Sequence, residues 1–186
     1  MPIELYNADN APEGAGELLQ GVQDKMGGML PNLYRQMAAA PIVLEAYLSL
    51  SDLIARTSFS PAEQQMILLT ASAHNGCKYC VAAHSSGARM AKLDKAAIES
   101  IRTGDVIEDA RLQALRTFVE EVLETRGAIS VETKTDFLAA GFTPAQAMEA
   151  LLGVSMKALS NNFARMFETP LDDFLARMEW AGNDRV

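Results

Sequence analysis

The chain has little cysteine, histidine or aromatic side chain. Its 186 residues include two Cys, two His and one Trp, and 6% are aromatic. Two cysteines cannot build a secreted disulfide framework, which needs several distant pairs. Positive charge is also short: 16 Lys and Arg stand against 24 Asp and Glu, a net charge of −8. That balance argues against nucleic acid, whose phosphates need a basic face, and against anionic membranes. No apolar run reaches the length of a membrane span. The start, Met1-Pro-Ile-Glu-Leu-Tyr-Asn7, has neither a basic beginning nor an apolar stretch, so no signal peptide is read there. A cytoplasmic location is expected, and in that reducing setting a close Cys pair serves catalysis or metal binding rather than structure.

What remains is ordinary in amount: 49% apolar and 22% charged residues, long enough to bury a core. A single domain over 1–186 is expected, with a loose N-terminal arm over 1–13. Ten methionines suit a helical core with soft filler, or an adaptable pocket. No segment alternates as a strand does, and there is no long linker or internal repeat. Helical spacing recurs instead. Pro41 opens a pattern through Leu44, Tyr47 and Leu48. Ser60-Pro61-Ala62-Glu63 reads as a capping box ahead of a helix that ends near Asn75-Gly76. Asp94 and Ser130 are placed to cap two shorter helices. Leu112, Leu115, Phe118, Val119 and Leu123 form one stripe over about 108–126. Thr143-Pro144 starts a long helix with Met148, Leu151, Leu152 and Met156 on one side, stopped by Pro170. A last helix is read over about 171–180. The fold class is all-α, a compact bundle of about eight helices.

The most informative run is Asn75-Gly-Cys-Lys-Tyr-Cys-Val-Ala-Ala-His84, which holds both cysteines and one of the two histidines. On a helix, Cys77 and His84 come within about 20° of each other, with Cys80 about 60° away. A helix N-terminus stabilises a thiolate through its dipole and free N–H groups. His84 stands four residues after Cys80, within hydrogen-bonding reach, and a thiolate–imidazolium pair would lower the thiol pKa further. A thiolate attacks a peroxide oxygen and becomes a sulfenic acid, and a second thiol three residues away then closes a disulfide. Two other readings compete, and a third, covalent haem, fails. His74, Cys77, Cys80 and His84 offer four zinc ligands, although packed too tightly around one helix start to close a tetrahedron easily. Covalent haem needs His directly after the second Cys, where Val81 stands. Two inert buried thiols with a solvent-facing His are the plainest case.

Ser60-Pro-Ala-Glu-Gln-Gln-Met66 followed by the cysteine run resembles the AhpD-like alkylhydroperoxidase core of the carboxymuconolactone decarboxylase superfamily. Gly141-Phe-Thr-Pro-Ala-Gln146, Leu159-Ser-Asn-Asn162 and Thr169-Pro-Leu-Asp172 are similar to the downstream region of its peroxidase-related members. The likeness spans about 30–175, with the cysteine core at about 60–92. It implies an AhpD-like helical bundle, cysteines near a subunit interface, and homo-oligomers such as dimers, trimers or hexamers. It implies that Cys80 meets the peroxide, Cys77 resolves it as a redox-active disulfide, and His84 activates, with no cofactor and no metal. The reductant would be an external dithiol, lipoyl or thioredoxin-like. Helix-dipole reasoning alone would choose Cys77 as the more acidic thiol. The family places a relay Glu twelve residues before the first Cys, and here Gln65 stands there. An amide orients but takes up no proton. Glu63 lies about 200° around the helix from that position, so it reads as a capping residue or a displaced base. His74 reads as an ordinary polar residue near the turn. Decarboxylation of a carboxymuconolactone belongs to members without this CxxC and is not expected. Asn161 and Asn162 are read as structural or pocket-lining. The altered relay keeps a second function in view, an oligomeric redox sensor or binding protein that switches without turnover. A Cys/His metal module is the third.

Overall fold

The computed structural model describes residue 1 and residues 3–182. Among these are nine α-helices, one 3-10 helix and no strand. The all-α expectation holds. Two of the ten elements are short, α2 (Asn32–Met37) and the terminal 3-10 helix (Asp173–Met178), the latter lying where the last helix is read from the sequence. The other elements are α1 (Gly16–Lys25), α3 (Pro41–Ile54), α4 (Pro61–His74), α5 (Lys78–Met90), α6 (Lys95–Thr103), α7 (Ala110–Thr125), α8 (Val131–Ala139) and α9 (Pro144–Met166).

Local chemistry sets most helix starts. At α4 the Ser60 hydroxyl accepts from Glu63 N at 3.3 Å, and Glu63 Oε2 accepts from Ser60 N at 2.9 Å, so two otherwise unpaired N–H groups are satisfied. Thr143 and Gln146 make the same reciprocal pair at α9. Asp109 and Ser130 cap α7 and α8. Asp94 occupies the N-cap position of α6, but its side chain makes no capping bond, contrary to expectation.

Helix α4 is the axis of the fold, and Met66 through Ala73 are all buried. On one side lies an apolar cluster in which Phe137 stacks between Phe118 and Phe142, with ring centroids 4.3 and 4.6 Å away. On the other, Leu19, Leu33, Met37, Leu44 and Tyr47 pack with Tyr79, both cysteines and Met156. The N-terminal arm is less loose than expected. Arg35 donates to the carbonyls of Leu5 and Tyr6 at 3.1 and 3.0 Å, and Tyr6 packs on this second cluster.

Helix α9 departs from its sequence pattern. Its buried side is Ala150, Gly153, Met156, Lys157, Ser160, Asn161 and Ala164. Met148 and Leu151, expected on the packed side, are 70% and 44% exposed. The cause is close approach to α4: a Cβ added at Gly153 would lie 2.8 Å from Ile67 Cγ2. Small residues win that face, and they bring Lys157 and Asn161 inside with them. Among the described residues, no single helix is long and apolar enough to cross a membrane.

Candidate active site

The turn between α4 and α5 is fixed from both ends. Gly76 takes a φ of 65°, a left-handed value that suits glycine. Cys77 N then donates to Ser72 O at 3.0 Å, and α9 holds the turn through Arg165 Nη1 to Asn75 O at 2.7 Å and Asn75 Nδ2 to Asn161 Oδ1 at 2.9 Å. Cys77 is the N-cap of α5, and its sulfur accepts from Cys80 N at 3.3 Å. Both thiols are free and 1% exposed.

Cys80, His84 and Gln65 line one cavity of about 560 Å3, and Lys157 joins them from α9. Leu33, Tyr34, Tyr47 and Phe174 supply much of the remaining wall. His84 Nδ1 faces Gln65 Oε1 at 3.1 Å, and His84 Nε2 faces Lys157 Nζ at 2.9 Å. An amide oxygen only accepts and an ammonium only donates. The ring therefore carries its proton on Nδ1 and offers the Nε2 lone pair to Lys157. The His84–Cys80 hydrogen bond expected from spacing is replaced by these two contacts. Burial first, then the Lys157 charge, hold the His84 pKa well below its usual value, so the imidazole is neutral. The expected thiolate–imidazolium pair does not form.

The cation beside Cys80 is Lys157, which sequence reasoning missed because a Lys in an amphipathic helix reads as solvent-facing. Burial alone raises the Cys80 pKa. The Cys77 hydrogen bond, the Lys157 charge and hydrogen bonds from Asn161 and Lys157 oppose it and prevail, bringing the thiol to about 6. Cys77 moves the other way: hydrogen bonding to Cys80, then burial, push it well above the ordinary thiol range. The more acidic thiol is thus Cys80, the reverse of the helix-dipole expectation. Burial likewise keeps the Tyr34 and Tyr47 phenols protonated.

Gln65 stands in the cavity because Gly87 leaves it room, since a Cβ added there would lie 2.5 Å from Gln65 Oε1. Glu63 is elsewhere. Its Oε2 serves the Ser60 cap, and its Oε1 accepts from Arg111 Nε and Nη2 at 3.1 and 3.0 Å. It is a capping residue and not a displaced base. His74 ends α4 and is not among the residues lining the Cys80 cavity. Among the described residues, no group of three or more His, Cys, Asp and Glu is placed to hold a metal ion. Asn161 is fully buried against the site, whereas Asn162 is exposed. Tyr79 and Asp172 form a pair the sequence did not single out: the Tyr79 hydroxyl donates to Asp172 Oδ2 at 2.7 Å.

Residues 41–121 match the model of the carboxymuconolactone decarboxylase family. That segment holds Gln65, both cysteines and His84. The family model thus covers the part of the chain that carries the candidate site, and the whole chain shares its fold with the solved structures that follow. Its fold is similar to an alkylhydroperoxidase AhpD core protein, peroxidase-related, from Ralstonia eutropha JMP134, with TM-score 0.82, 22% identity and 94% and 95% of the two chains covered. It is also similar to a peroxidase-related protein from Silicibacter sp. TM1040, with TM-score 0.79, 20% identity and 93% and 92% covered. A third likeness is to the debrominase Bmp8 in complex with 2,3,4-tribromopyrrole, with TM-score 0.73, 14% identity and 87% of each chain covered. A search of the curated proteins finds no match. Lys157 and Asn161 lie outside the matched segment.

Proposed function

We propose that this chain is a thiol-dependent hydroperoxide reductase. The observation that carries the reading is two free thiols three residues apart at the start of α5, with Cys80 sharing its cavity with His84 and the buried Lys157. The Cys80 thiolate attacks the terminal oxygen of a hydroperoxide. The O–O bond breaks, Cys80 becomes a sulfenic acid, and the leaving alkoxide takes a proton from Lys157. The Cys77 thiol then attacks the Cys80 sulfur, closing the Cys77–Cys80 disulfide and releasing water. An external dithiol reduces that disulfide, and the proton it yields returns Lys157 to ammonium. His84, kept neutral, accepts the Lys157 hydrogen bond and holds it in place, and Gln65 orients the ring. Lys157 supplies the charge that a relay carboxylate would otherwise organise. The cycle suits a reducing cytoplasm, where dithiols are kept reduced.

The test is steady-state consumption of an organic hydroperoxide with a dithiol in excess. Turnover is expected in the native protein and lost in Cys80→Ser. A Cys80→Ser protein that consumes peroxide at the native rate sinks the proposal. Oxidation of one equivalent without turnover would favour a redox switch. A second reading uses the same thiol pair to replace bromine on a brominated pyrrole by hydrogen, with disulfide and bromide as products. The debrominase likeness and the aromatic cavity wall favour including it. Cys80-dependent release of bromide from 2,3,4-tribromopyrrole, without peroxide turnover, would put that reading first.

A further inference from the structure

The two cysteines line different cavities. Cys80 lines the cavity of about 560 Å3 described above. Cys77 lines a second cavity, of about 710 Å3, together with Lys78, Ala164, Arg165, Trp180 and Ala181. Neither cysteine lines the other's cavity. Tyr79, between the cysteines in sequence, lines both and forms the partition. Its ring is fixed: the hydroxyl donates to Asp172 Oδ2 at 2.7 Å and accepts from Leu33 N at 3.3 Å.

We propose that the Cys77 cavity is the reductant's port, where a slender dithiol attacks Cys77 of the disulfide while peroxide reaches Cys80 through the other cavity. This rests on the dithiol cycle proposed above. Two arguments carry it, one of access and one of chemistry. Cys77 lines its cleft and is 1% exposed. A thiol at the end of a thin arm reaches such a sulfur, whereas one on a broad protein face is held off by the walls. Thiol–disulfide exchange also runs fastest when the sulfur that leaves is the more acidic thiol. Lys157 shares the cavity with Cys80 and not with Cys77, and hydrogen bonds from Lys157 and Asn161 favour the Cys80 thiolate, so attack at Cys77 expels the better leaving group.

The step balances. The reductant's thiolate forms a bond to Cys77 Sγ, the Cys77–Cys80 bond breaks, and Cys80 leaves as a thiolate. The reductant's second thiol gives up its proton, attacks the first reductant sulfur and closes the reductant's own disulfide. Cys77 leaves and is protonated. The protein gains two electrons and the dithiol loses two.

Trypsin cuts after Lys78, between the two cysteines, so a captured thiol can be placed on one peptide or the other. The native protein is oxidised with diamide rather than peroxide, mixed with 2-mercaptoethanol, quenched within milliseconds by acid and mapped by mass spectrometry. The probe is expected on the peptide ending at Lys78. Its capture on the peptide beginning at Tyr79 overturns the proposal. A protein that closes a disulfide with diamide and maps to Cys77, but ignores peroxide, overturns the peroxidase reading alone. Failure of diamide to close a disulfide overturns both. A kinetic arm uses Ala181→Trp, which narrows the Cys77 cleft. Reduction by dihydrolipoamide should slow at least tenfold, while oxidation by cumene hydroperoxide stays within twofold. Unchanged reduction, or equal slowing of both half-reactions, contradicts the port, and faster reduction by thioredoxin than by dihydrolipoamide contradicts its slender occupant.

Discussion

A buried ammonium needs a partner for its charge. Lys157 is fully buried, and among the described residues it makes no ion pair. Its hydrogen bond runs to a neutral imidazole. The Cys80 thiolate is the anion its position calls for, and the two lower each other's cost. The sign for reactivity follows: a thiol brought to about 6 is thiolate above that pH and loses reactivity as pH falls through it. Lys157→Met should move the midpoint of Cys80 alkylation toward the ordinary thiol value of ~8.5 and cut the rate at pH 7 roughly tenfold or more. Lys157→Arg should restore most of the shift. Iodoacetamide labelling of Cys80 across pH measures this, and an unchanged midpoint in Lys157→Met would show that the ammonium does not tune the thiol. Cys77, Cys80, His84 and Gln65 were legible in sequence because they fall within two adjacent helices of fixed period. Lys157 was not, because 73 residues separate it from His84 and only tertiary packing joins them.

At the scale of elements, helix starts were readable and the long helix's inward face was not. Caps are local: Ser60 and Glu63 act over one turn, so type and spacing suffice to find them. Glu63 then takes Arg111 as a further partner, which sequence could not supply. Glu63→Ala should therefore cost about 1 kcal/mol of stability, mostly the cap. It should leave the rate of Cys80 oxidation unchanged. Thermal unfolding and stopped-flow peroxide oxidation check the two halves, and a slowed oxidation would return Glu63 to the site. In α9, an apolar count favours Met148 and Leu151, but the helix must lie close to Ile67, and Gly153 permits it. Steric fit between helices overrode the hydrophobic pattern there.

At the scale of the whole molecule, large apolar side chains remain uncovered. Met148 is 70% exposed, Leu151 44% and Ile42 72%. The homo-oligomer implied by family resemblance would give such side chains a partner. Replacing Met148 and Leu151 together by Glu should lower the molar mass measured by light scattering, while helical content by circular dichroism stays the same. An unchanged mass would place any interface elsewhere. The all-α architecture followed from helical spacing throughout. The second cavity, behind Tyr79, had no sequence signal, because the 3-10 helix and the segment after it fold back over α5 from far along the chain.

The most direct measurement is a thiol count on freshly purified protein, before and after one equivalent of an organic hydroperoxide, and again after a dithiol. The account predicts that two thiols are lost on oxidation and that both return. Two thiols that stay titratable after the hydroperoxide at neutral pH would contradict it, and the Cys77–Cys80 pair would then be a structural feature of the helix start.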